Sequence, residues 1–209
     1  MKVTLLGDSI RQQYAPLVKE LLGEEFDVWA PEQNCMFAQY TLRGLFDWVS
    51  NMEGSDIVHW NNGHWDVCRL FGDGTFSDEE DYVKNILRIA HILQKRYGTV
   101  IFATTTPVRS LNKYNKNEDI DRFNRRVVSL LRECGVIIND LNGLLSPDVE
   151  RYICEDNIHL SDEGIALCAA QVAGSIKAAA ENTMHVSEPK EKVLREDAVN
   201  NFGAPVLLP

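Results

Sequence analysis

The stretch "LLGDSI", residues 5–10, decides how the rest of the chain is read. An apolar run from Val3 to Leu6 stops at Gly7, and Asp8 and Ser9 follow at once. Behind them Tyr14, Leu17, Val18, Leu21 and Leu22 recur at helical spacing until Gly23. A strand that turns through Gly-Asp-Ser into a helix is the opening unit of an alternating α/β chain. It also sets a serine at a helix N-terminus, where backbone N–H groups favour negative charge. Taken alone the turn says little about chemistry, because a serine after a strand is most often a helix N-cap.

The alternation continues outward. Phe26 to Ala30, Asp56 to Trp60, Thr99 to Thr105 and Val136 to Asp140 read as four more strands. Between them Leu42, Leu45, Phe46 and Val49 mark one helix, and Val83, Ile86, Leu87, Ala90 and Leu93 another. Ser77 with Glu80 three residues on has the form of a capping box for the latter. Ile120, Phe123, Val127, Leu130 and Leu131 mark a further helix, and Ser161 is placed to cap the last, expected to run to about Ala180. Residues 107–118, with three Asn, two Lys, a Pro and a Ser, read as a loop. The pattern predicts an α/β fold, a three-layer α/β/α sandwich around a five-stranded parallel sheet. Ligands in such sheets bind at the carboxyl ends of the strands, which would align Ser9, the Asn61 region, Thr105 and Asp140 along one edge. Residues 1–181 form the expected domain; residues 182–209, charged with a short apolar end, read as an arm across the domain or a partner, or as a tail.

A net charge of −10 argues against a nucleic-acid partner and against an anionic membrane surface. The five cysteines are scattered without a CxxC pair, which suggests neither a zinc site nor a disulfide framework. With no apolar run of membrane-spanning length and no signal-peptide pattern at the N-terminus, the chain reads as cytoplasmic.

Two further stretches raise the interest of Ser9. In "DNIHLS", residues 156–161, Asp156 and His159 stand three apart just before a helix, so the carboxylate can hydrogen-bond one imidazole nitrogen and leave the other to act as a general base. The bland alternative is a surface aspartate and a histidine near a helix start. In "HWNNGHWD", residues 59–66, Asn61 and Asn62 end the third strand, where a side-chain amide could donate to a developing oxyanion. An ordinary Asn-Gly turn is the competing reading.

With these three stretches the chain resembles the SGNH hydrolases, also called GDSL esterases, over roughly residues 3–180. The resemblance implies a flavodoxin-like fold and a two-step serine esterase. Ser9 would be the nucleophile, His159 the base and Asp156 its partner, without metal or organic cofactor. Two departures stand out. The family's third block reads G-x-N-D, whereas "GHWD" has Trp65 at the Asn position, so the oxyanion amide is expected from Asn61, or else from Asn62. The second block usually supplies a glycine N–H, and "NCMFAQYT", residues 34–41, has no glycine; the N–H of Ala38 or Gln39 would join that of Ser9.

Arg11, Trp60, His64 and Trp65 are candidates to line a substrate pocket, with local pairing or plain packing as the alternative for each. Asp8 is expected to shape the turn, and His59 to be a core residue. The expected substrate is a small acyl ester, foremost an acetyl group on a carbohydrate. Acyl transfer by the same triad, or a degenerate domain that binds a glycan or protein, are the alternatives.

Overall fold

The computed structural model describes residues 1–186; the rest of the expected arm or tail, 187–209, lies outside the described residues. In chain order the elements are β1 (Lys2–Leu6), α1 (Ser9–Leu22), β2 (Asp27–Trp29), α2 (Ala38–Asp47), α3 (Val49–Met52), β3 (Ile57–Trp60), α4 (His64–Val67), α5 (Glu79–Arg96), β4 (Thr99–Ala103), α6 (Asn117–Glu133), β5 (Ile137–Asn139), α7 (Leu141–Leu145), α8 (Val149–Tyr152) and α9 (Asp162–Val186). The five strands form one parallel sheet in the order β2-β1-β3-β4-β5. The helix α9 runs on past the boundary expected at residue 181.

Alternate strand residues point to opposite faces, and the two faces bury different helices. Val3, Leu5, Ile57 and Ile101 pack with Ile10, Tyr14 and Val18 of α1 and with Ala169, Val172 and Ile176 of α9. Leu6, Val58, Trp60, Val100 and Phe102 pack with Leu45 of α2, Ile86 and Ile89 of α5, and Phe123 and Val127 of α6. Each such aliphatic side chain contributes about 1.5–3 kcal/mol on burial. The result is the three-layer sandwich that the apolar runs predict.

Sheet order places the site. From β1 the chain goes first to one neighbour, β2, and then to the other, β3, so the strand order reverses at β1 and a crevice opens beyond the carboxyl ends of β1 and β3. Ser9 and Asn61 directly follow those two ends. Capping sets where the helices begin. The Asp8 carboxylate accepts the Ile10 N–H at 3.0 Å and starts α1, as expected of a turn-shaping residue. Ser161 caps α9 by accepting the Gly164 N–H at 3.1 Å. The capping box at Ser77 does not form: Asp78 accepts from Glu80 and Asp81, because the Ser77 hydroxyl is drawn to Asp66 at 2.7 Å.

Candidate active site

The turn after β1 carries Ser9 as the first residue of α1. Its backbone N–H is one of the first-turn donors that have no intrahelical acceptor. Gly7, at φ +155°, is where the third-strand loop comes closest: a Cβ there would stand 1.9 Å from Asn61 Oδ1. Only glycine permits that approach. The Asn61 N–H donates to the Leu6 carbonyl at 3.2 Å and the Cys35 N–H to the Gly7 carbonyl at 3.0 Å, so two loops converge on the turn.

The fourth segment is the loop before α9. The His159 Nε2 lies 2.9 Å from the Ser9 Oγ, and its Nδ1 lies 2.6 Å from Asp156 Oδ2. The other carboxylate oxygen accepts the N–H groups of Ile158 at 3.0 Å and His159 at 2.9 Å. Partial burial would raise the Asp156 pKa, but these two N–H groups and the imidazole outweigh it and hold the carboxyl below its ordinary value. With Asp156 ionised, the Nδ1–H points at the carboxylate and Nε2 is left to accept the serine proton. The structure thus brings Ser9, His159 and Asp156 into one chain of hydrogen bonds.

The two asparagines of the third block face different ways. Asn61 is almost fully buried, its Oδ1 has no hydrogen-bond partner beside Gly7, and no hydrogen bond among the described residues takes its Nδ2 donor. Asn62 has no donor to offer: its Nδ2 donates to the Met36 carbonyl at 2.9 Å and to the Thr41 Oγ1 at 2.8 Å, in the interior. That removes Asn62 from the oxyanion candidates. Ala38 is removed for the same reason, since its N–H donates to both Asp66 oxygens at 3.1 Å. Gln39, the second residue of α2, is exposed and keeps a first-turn N–H.

Sequence reasoning missed Met36 and Asp66. Met36 adopts φ +48°, the left-handed conformation in which glycine is at ease, within the very block that lacks one. Its N–H donates to Asn34 Oδ1 at 2.8 Å. No residue-type signal marks such a position. Asp66 is buried and joins three segments by accepting from Ala38 and Ser77. Burial pushes its carboxyl up to about 7, against the pull of those hydrogen bonds.

Three of the four pocket candidates are corrected. Trp60 is fully buried, its ring 4.8 Å from that of Phe102, because it belongs to the inner face of β3. Arg11 is buried too, with its guanidinium donating to the carbonyls of Gly7 at 3.2 Å and Gln33 at 2.8 Å, so it ties the nucleophile turn to the second-block loop. His64 is enclosed, its Nε2 2.8 Å from the Thr106 Oγ1 and its Nδ1 3.3 Å from the Asn115 Nδ2. An amide nitrogen donates, so Nδ1 accepts and the Nε2–H donates to Thr106; burial lowers the pKa and favours this neutral ring. Trp65 alone is open to solvent, at 40 % exposure. Tyr40 and Phe76 are also exposed and flank Phe37, with ring centroids 6.1 and 5.2 Å away. His59 is a core residue as expected, its Nε2 accepting from the Asn139 Nδ2 at 3.1 Å, and its pKa is pushed down to about 3 by burial.

Among the described residues no group of three or more His, Cys, Asp or Glu is placed to hold a metal ion. None of the helices they form is long and apolar enough to cross a membrane.

No protein-family model matches the sequence, and no curated protein does. Solved structures do match. An acetyl xylan esterase, AlAXEase, superposes with a TM-score of 0.71 at 20% identity, covering 84% of this chain and 100% of that one. A lipase/acylhydrolase from Enterococcus faecalis gives 0.72 at 18% identity, covering 85% and 95%. Axe2, an acetylxylan esterase from Geobacillus stearothermophilus, gives 0.69 at 15% identity, covering 84% and 93%. Identities this low speak to architecture alone: the chain shares the flavodoxin-like fold of these structures, a five-stranded parallel sheet in the order β2-β1-β3-β4-β5 between layers of helices.

Proposed function

We propose that the protein is a serine esterase that hydrolyses a small acyl ester, foremost an acetyl group carried by a carbohydrate. The observation that carries this reading is the relay of 2.9 Å and 2.6 Å from Ser9 through His159 to Asp156. In the first step the Ser9 hydroxyl attacks the ester carbonyl while His159 Nε2 takes its proton. Charge developing on the carbonyl oxygen is met by the Ser9 N–H, the Asn61 amide and the Gln39 N–H of the second block. Each such donor is worth about 2.7–4 kcal/mol in the transition state. The tetrahedral intermediate collapses, His159 gives its proton to the departing alcohol, and the acyl group remains on Ser9. Water, deprotonated by His159, then attacks the acyl-enzyme and releases the acid.

Two features support hydrolysis of a sugar ester in particular. The imidazole of His159 is 37% exposed, which gives water ready access and favours hydrolysis over acyl transfer to a second alcohol. The exposed rings of Trp65, Tyr40 and Phe76 offer faces on which a sugar can stack. Acetylated xylan is a substrate class named for two of the structural neighbours.

A fluorophosphonate probe tests the reading. Wild-type protein should be labelled, and Ser9→Ala and His159→Ala should not. Absence of labelling in a folded wild-type sample would point to a binding module instead. A panel of p-nitrophenyl esters from acetate to palmitate, with acetylated xylo-oligosaccharides alongside, should show a preference for acetate; a preference for long chains would move the substrate to lipids.

A further inference from the structure

We propose that two amide side chains, Gln13 and Asn112, are positioning residues that hold the His159 loop in register with Ser9. The proposal rests on the esterase reading. The loop is a closed unit: Ile153 and Leu160 pair as an antiparallel bridge, Cys154 N–H donates to the His159 carbonyl at 2.7 Å, and Asn157 N–H to the Cys154 carbonyl at 2.9 Å. These bonds tie the loop to itself, and Ile153 and Leu160 at its base are buried in the core. What fixes it against the serine must come from outside.

The first anchor is on the nucleophile's own helix. Gln13 follows Ser9 by four residues, so it stands on the same face of α1 one turn further on. Its Oε1 accepts the Leu160 N–H at 2.9 Å and its Nε2 donates to the Leu160 carbonyl at 3.2 Å. The amide mimics one rung of a β-ladder and grips the residue next to His159 at both polar atoms. The second anchor is on the opposite flank, at the tip of the loop. Asn157 is in the left-handed region, φ +72°, and its carbonyl accepts the Asn112 Nδ2 at 3.1 Å and the Arg109 N–H at 3.2 Å.

The asparagine-rich loop noted in the sequence is built to present that second anchor. Asn117 closes its ends by pairing with both the N–H and the carbonyl of Val108, at 2.9 and 2.8 Å. Asn112 Oδ1 folds the middle by accepting the N–H groups of Tyr114 at 3.0 Å and Asn115 at 2.7 Å. Asn115 then donates to the His64 carbonyl at 2.9 Å, joining the loop to the third block. Asn112 and Asn115 are both nearly inaccessible to water. Packing cannot do this work at the histidine itself, whose ring is open to solvent. A displacement of the base by about 1 Å costs on the order of 10² in rate, so two hydrogen-bonded anchors bear on kcat directly.

The test compares single-turnover labelling of Ser9 by a fluorophosphonate with steady-state hydrolysis of p-nitrophenyl acetate. The variants are Gln13→Ala, Asn112→Ala, the double variant, and the near-isosteric Gln13→Glu and Asn112→Asp. The last two keep the side chain's shape and set a carboxylate oxygen where the donor nitrogen faced a carbonyl, so they report through repulsion even where an alanine variant fails to fold. Each single change should slow labelling and kcat about tenfold with KM nearly unchanged, and the double change about 100-fold. Gln12→Ala, which removes a bond to the Glu32 carbonyl on the outer side of α1, should match wild type. Wild-type labelling rates in folded Gln13→Glu and Asn112→Asp would overturn the proposal and reduce both residues to a role in stability. A wild-type protein that is not labelled at all would instead overturn the esterase reading, and the positioning role with it.

Discussion

Ser9 stands on a turn whose neighbours are buried: Gly7 is pressed by Asn61, Asp8 is inaccessible, and Arg11 spends its guanidinium on two backbone carbonyls. His159 and Asp156 stand on a loop that water reaches, with side chains 37% and 50% exposed. The two regions meet in one hydrogen bond, yet different forces set them. Close packing at the end of β1 fixes the serine, whereas hydrogen bonds, within the loop and to it from Gln13 and Asn112, hold the base. Changes around the turn should therefore disturb fold and rate together. Changes in the loop should disturb rate while leaving stability nearly intact.

The largest effect tests the meeting point. Ser9→Ala removes one oxygen and should lower kcat on the order of 10⁶-fold; residual turnover within tenfold of wild type would mean the reaction runs elsewhere. Asp156→Asn tests the exposed side. It should cost about 10⁴ in kcat, by misdirecting the imidazole, while the melting temperature stays close to wild type; a large loss of stability would erase the contrast. The adjacent asparagines sharpen it. Asn61→Ala should cost about 10² to 10³ in kcat with little change in KM. Asn62→Ala leaves the Met36 carbonyl unpaired and takes a donor from the Thr41 hydroxyl, which keeps its bond to Cys35, so it should cost about 1–3 kcal/mol of stability in a denaturant melt and much less in kcat.

A further effect concerns pH and the buried side alone. Asp66 is raised to about 7 in the fold, from an ordinary 3.8. Between those values the folded protein holds a proton that the unfolded chain has released, so stability is full below the lower value and falls as pH rises to the upper one. Asp66→Asn should flatten the melting temperature across that window; an unchanged slope would assign it to another group.

Much of this was legible in the residues. The inner strands announced themselves as apolar runs because a parallel sheet covered on both faces buries nearly every residue of β1, β3 and β4. Ser9 and the Asp156–His159 pair were legible because each motif carries its geometry within four residues. What stayed hidden depends on contacts between distant segments. Asn61 and Asn62 are chemically identical neighbours, and only the position of Thr41 and Met36 decides which amide is spent. Ala38 could not be excluded without seeing Asp66 beneath it. Trp60 and Arg11 sit next to motif residues in sequence but point into the interior, Trp60 because β3 turns that face to α5 and α6. Gln13 carried a signal, four residues after Ser9, whose meaning appears only with Leu160 across from it.

Ser9 and His159 are 150 positions apart, and that separation has a consequence during synthesis. The serine leaves the ribosome first and must wait for its base, which at about 5–20 residues per second takes on the order of ten seconds. Until then the nascent chain holds an ordinary alcohol with no means of deprotonation. A product cut short ahead of Asp156 is likewise inert, because it carries the serine without its base.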